Sequence, residues 1–179
     1  MTFRRFSLSL ILFFLLCISS IRCGYSVRSL LPSNLKTIHV EPFKNSIIYT
    51  EEQNRDIYFP LLESQVRNTI IERFLFDGNL KIAAAEKADL TLQGELKSYE
   101  RQSLRITENE DTQEYRIHVV VSLTLKDNKK DTILWEESGF VGETTYFVTG
   151  PNAKSETAAV DDAVKDLARR VVERTIEDW

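Results

Sequence analysis

With 179 residues, 42% of them hydrophobic and 28% charged, the chain can build one domain with a real core, and its composition is that of a globular protein. Six glycines and four prolines are too few for a low-complexity linker, and no internal repeat is present. The net charge of −4 hides an asymmetry: residues 1–22 hold three arginines and no acid, so beyond them 23 basic residues become 20 against 27 acidic, or −7, which argues against nucleic acid as the main partner.

Arg4 and Arg5 open the chain, and an apolar run from Leu8 to Ile18 follows, closed by Ser19 and Ser20. The run is short for a membrane span and fits a signal peptide over residues 1–22, leaving a domain over 23–179. Of the two cysteines, Cys17 lies within that run and Cys23 just after it. Cleavage before Cys23 would leave one cysteine at the new N-terminus and no internal disulfide. A cysteine there fits lipid modification; otherwise it is an unpaired thiol. Arg22, just before it, departs from the small residue that a lipoprotein signal favours.

Leu35–Val40 alternates apolar and polar residues and predicts a first strand, bounded by Pro32 and Pro42. Residues 44–56 read as a polar loop. Pro60 suits a first helical turn, and Leu61, Leu62, Val66, Ile70, Ile71 and Phe74 follow at helical spacing, with Gly78 as the stop. Leu80–Ile82 offers a short strand. Leu90–Lys97 alternates again, with Gly94 on its apolar parity, where close packing or a bulge is expected. Residues 98–112 suit a strand extension and a hairpin tip.

The longest signal is Glu114–Leu125. Tyr115, Ile117, Val119, Val121, Leu123 and Leu125 share one parity, while Glu114, Arg116, His118, Ser122 and Thr124 share the other. Successive strand residues point to opposite faces, so this is a central strand with one apolar and one wet side. A turn over 126–131 follows, then a strand that Gly139 and Gly142 interrupt, suggesting a bulge. Ser155–Glu177 predicts a second helix, with an apolar stripe of Val160, Val164, Leu167, Ala168, Val171, Val172 and Ile176. The order is β-α-β-β-β-α. It predicts an α+β two-layer sandwich: a mixed four-stranded sheet with both helices packed on one face.

No catalytic motif stands out: there is no nucleophile elbow, phosphate loop or dinucleotide fingerprint. His39 and His118 fall in different strands on polar parities and read as surface residues, and no His/Cys cluster suggests a metal. No cofactor is implied. The better lead is basic: Arg101 and Arg105 before the central strand, Lys126, Lys129 and Lys130 after it, and Lys154 before the last helix. Such groups grip phosphates, although exposed Lys and Arg are also ordinary. Tyr99, Trp135, Tyr146 and Phe147 suit core or rim packing.

Cys23-Gly24-Tyr25, Leu31–Ile38 leading to Pro42-Phe43, Ala88-Asp89-Leu90, Thr112–Arg116, Leu134-Trp135, Tyr146–Val148 and Ala153–Glu156 occur in an order and spacing that resembles the LptE family of lipopolysaccharide-assembly lipoproteins. The resemblance covers nearly all of residues 23–179. It implies a non-enzymatic outer-membrane lipoprotein, anchored through Cys23, that faces the periplasm and plugs an LptD-like β-barrel. It also implies binding of lipopolysaccharide through basic loop residues at one end of the sheet. Lys154 matches such a position, and Arg105, in the expected loop before the central strand, matches more loosely. The alternative is a periplasmic lipoprotein serving another envelope assembly; an enzyme ranks last.

Overall fold

The computed structural model describes residues 32, 34–47, 59–108 and 110–177. Its elements are β1 (Thr37–Val40), β2 (Lys44–Asn45), α1 (Leu62–Asp77), β3 (Lys81–Ile82), β4 (Leu90–Ile106), β5 (Thr112–Asp127), β6 (Thr132–Phe147) and α2 (Glu156–Glu177), with a single 3₁₀ turn at Ala85–Lys87. The strands form one mixed sheet in the order β3-β1-β4-β5-β6, and β2 pairs with β4 further along. The α+β class is as expected, but the sheet has six strands rather than four. Two of them, β2 and β3, are two residues long: β3 is the short strand offered by Leu80–Ile82, which the count of four left out, and β2 is too short for alternation to announce it. β2 lies in the expected polar loop, whose residues 48–56 fall outside the described residues.

β5 is central in fact as in pattern. Ile117, Val119, Val121, Leu123 and Leu125 are all fully buried, while the opposite parity stays partly exposed. The core opposite them comes from Leu62, Val66, Ile70 and Phe74 of α1 and the whole predicted stripe of α2. Both helices therefore cover one face, driven by burial of matched apolar stripes. Leu61 is not part of that stripe. It precedes the helix in a left-handed conformation (φ 59°) and is 69% exposed, so Pro60 lies in the turn before α1 rather than in its first turn. Gly78 ends α1 as expected, at φ 79°, its N–H donating to the Phe74 carbonyl at 3.0 Å.

β1 and β2 lie in succession along the same side of β4, both parallel to it. Pro42 and Phe43 lie between them, and the Phe43 ring folds over Gly94, where a Cβ would overlap it. The break in β6 has two causes. Gly139 sits in a register shift opposite Val121 and Leu123, and a Cβ there would meet nothing within 4 Å, as suits a bulge. Gly142 instead lets α2 approach: a Cβ there would meet the Ala163 carbonyl and Leu167. On the outer edge of β6, Arg170 donates to the Val141 carbonyl, and Asp166 accepts the Glu143 N–H at 3.3 Å.

Asp89 joins the beginning of the sheet. Its carboxylate accepts the N–H groups of Lys36 (2.9 Å) and Thr37 (3.0 Å) and the Thr37 hydroxyl (2.9 Å), and pairs with Lys129 at 2.5 Å. The Lys129 ammonium and these donors hold its pKa well below the usual carboxylate range.

Candidate functional site

The basic residues singled out by sequence divide between the two ends of the sheet. Lys126, Lys129 and Lys130 lie around the β5–β6 turn, paired with Asp131, Asp89 and Asp127. Arg101, Arg105 and Lys154 lie at the opposite end, where β4 approaches its hairpin tip and α2 begins.

Arg101 is already committed. Its guanidinium binds Glu156 of α2 at 2.5 Å and lies 5.0 Å from the centre of the Tyr115 ring. Tyr99 donates its hydroxyl to the same carboxylate at 2.7 Å, and Tyr115 stacks on Tyr146 at 5.8 Å. Burial, then Glu156, pushes the Tyr99 phenol up. This cluster clamps the first turn of α2 to the sheet. Glu156, which the sequence reading did not single out, sits where a helix N-terminus favours an acid. Its 55-residue separation from Arg101 left no local signal.

Arg105 is the second-last residue of β4, not in a loop: the strand extends to Ile106. Arg105 pairs across the ladder with Glu114, and Glu114 with Phe147, so the three form a row over three strands. The row lies on the face away from the helices, because Glu114 has the wet parity of β5. The guanidinium is 3.8 Å from the Glu114 carboxylate, 5.8 Å from the Phe147 ring centre, and 62% exposed. Lys154 arrives from the other direction. Its N–H donates to the Phe147 carbonyl at 2.9 Å, while its ammonium binds Asp162 of α2 at 2.9 Å. The fold thus brings both residues to Phe147 but sends their charges to different layers.

Exposed apolar residues share this end: Leu104 (39%), Ile106 (59%) and Val148 (37%). The corner is amphiphilic, with two exposed cations, each paired with an acid, beside uncovered hydrocarbon. Elsewhere on the open face, a polar hollow of about 190 Å³ lined by Glu41, Lys44, Gln93, Glu95, Ser122 and Thr124 is small for an organic ligand. His39 contacts the Ala83 carbonyl at 3.1 Å, and His118 lies 3.2 Å from Glu143, so the two serve separate places. Among the described residues no group of three or more His, Cys, Asp or Glu could hold a metal, and no helix is long and apolar enough to cross a membrane. Cys23 and the expected signal peptide lie outside the described residues.

The family described as "LptE: Lipopolysaccharide-assembly" matches residues 35–175. The chain belongs to the LptE family. Membership ties it to lipopolysaccharide assembly, and the match spans every strand of the sheet and nearly all of α2. No curated protein matches it in sequence. The LptE-family chain is similar in fold to the hypothetical protein CT253 from Chlamydia trachomatis, at 12% identity and a TM-score of 0.52, covering 79% of this chain and 95% of that one. It is similar also to protein XCC0632 from Xanthomonas campestris, at 12% identity and a TM-score of 0.52, covering 78% and 83%. These likenesses speak to the fold alone.

Proposed function

We propose that this LptE-family chain is a non-enzymatic outer-membrane lipoprotein. It loses residues 1–22, is acylated on Cys23, seats in an LptD-like β-barrel, and meets lipopolysaccharide at the Arg105–Lys154 corner. The observation that carries the site is the placement of two cations beside exposed Leu104, Ile106 and Val148. Lipopolysaccharide presents phosphates next to acyl chains, so a site for it needs charge-assisted donors next to apolar surface. The exposed Lys154–Asp162 pair is worth about 0–1 kcal/mol, and the Arg105 guanidinium is 62% exposed and only 3.8 Å from Glu114, so both cations remain available to a lipid phosphate. The cations are the means by which a protein that is acidic beyond residue 22 tolerates a polyanionic lipid.

The test replaces both charges without adding acids: Arg105→Gln with Lys154→Gln. Lipopolysaccharide binding should fall while the melting temperature and copurification of the barrel hold. Undiminished binding removes the site; a wild-type protein that brings down no barrel removes the function. Membrane attachment is read separately. Cys23→Ser should release the protein from outer membranes that lack the barrel, since each buried CH₂ of an acyl chain contributes about 0.8 kcal/mol to anchoring.

A further inference from the structure

The end of the sheet remote from Arg105 has an apolar surface of its own. α1 finishes there with Phe74 fully buried, but Leu75 and Phe76 turn away from the core, 63% and 82% exposed. Leu75 and Phe76 lie about 100° and 200° around the helix from Phe74, off the narrow stripe of Leu62, Val66, Ile70 and Phe74 that α1 buries. Polar residues would serve there; two large apolar ones are unrequired by the fold. The Arg73 guanidinium lies 5.3 Å from the centre of the Phe76 ring.

The chain joins the fold at this same end. Thr37, the first residue of β1, pairs with Lys81, and the Lys81 N–H donates to the Lys36 carbonyl at 2.9 Å. Only Gly78, Asn79 and Leu80 separate α1 from Lys81. The side chains of Arg73, Lys36 and Lys81 make no ion pair among the described residues, and nearby Asp77 is engaged by Asn79 at 2.8 Å.

We propose that Leu75 and Phe76 form a lipid-contact patch that seats this end of the domain on the membrane surface. The inference rests on the reading that Cys23 is the tether. Asn34 lies eleven residues beyond Cys23, a reach of at most about 36–40 Å. The Arg105 corner lies about 50 Å further along β4, so the tether holds the Phe76 end, not the Arg105 end, at the bilayer. A tethered patch meets lipid at high effective concentration and needs little intrinsic affinity. Phe and Leu suit the boundary between headgroups and acyl chains, and Arg73, Lys36 and Lys81 match anionic headgroups. The patch then fixes the Phe76 end at the surface where the tether enters the bilayer, with the Arg105 corner at the opposite end of the sheet.

The test uses the chain from Cys23 onward, which contains every residue of the described fold. Its single thiol is coupled to a maleimide phospholipid in vesicles of phosphatidylethanolamine and phosphatidylglycerol. Hydroxyl-radical footprinting then compares tethered and free protein. Labelling of Phe76 and Leu75 should fall several-fold on tethering, while Leu104 and Ile106 stay unchanged. Equal labelling of Phe76 in both states overturns the patch. Protection that needs the barrel partner also overturns it, making the face a protein contact. The chemical tether makes the outcome independent of whether the cell acylates Cys23, which the fractionation of Cys23→Ser decides by itself.

Discussion

The ring of Phe43 occupies the space in which Gly94 would carry a side chain. The relationship fixes how the segment between β1 and β2 lies against β4, and both residues are needed for it. Gly94→Ala should force the ring to move and cost about 1–3 kcal/mol, lowering the melting temperature by roughly 2–12 °C. Gly139→Ala is the control. Nothing lies within 4 Å of a Cβ there, so its melting temperature should stay level or rise slightly.

Val119 and Arg116 lie on opposite faces of β5, one fully buried and the other partly exposed. Val119→Asp places a carboxylate among Leu and Val side chains and should cost several kcal/mol, enough to lose soluble folded protein. Arg116→Ser should stay within about 0.5 kcal/mol of wild type. Equal losses in thermal unfolding would mean that the helices cover the other face.

Asp89 has a lowered pKa because its charged form is the one bound by Lys129, Lys36 and Thr37. Its contribution is therefore present above the unfolded value of about 3.9 and disappears as pH falls toward the folded value. Asp89→Asn should cost about 1.5–3 kcal/mol at neutral pH, the worth of hydrogen bonds to a charged group. The difference between wild type and variant should shrink on acidification below about pH 4. Denaturant unfolding at pH 7 and pH 3 measures it, and a constant difference would contradict the assignment.

Periodicity revealed β5, α1 and α2 because each buries a regular stripe over many residues. It missed the pairing of Lys44–Asn45, since two residues carry no period, while the strand at Lys81–Ile82 falls within the short one that Leu80–Ile82 offered. It placed Leu61 in the helix because hydrophobicity says nothing of a left-handed φ. Asp127 was assigned to a turn, yet it is the last residue of β5 and 1% exposed, accepting the N–H groups of Lys129 (2.9 Å) and Lys130 (3.0 Å). For the site, sequence put Arg105 in a loop before the central strand and Lys154 just before the last helix; Arg105 lies in β4 instead, at the same end of the sheet as Lys154. Their separation into two layers depends on strand register, including the shift between Ser103 and Arg105, and on the position of Asp162. Neither is written in local pattern.

Arg170 and Asp166 occupy the outward carbonyl of Val141 and N–H of Glu143. An edge strand normally invites a neighbour to continue the sheet. A domain proposed to sit within a β-barrel is surrounded by strands, the most adhesive company an open edge could have. With those two backbone groups already satisfied, a foreign strand has no unbroken ladder to extend along this half of β6. The wall around it is then met through side chains, and the plug stays a separate sheet instead of becoming one more stave.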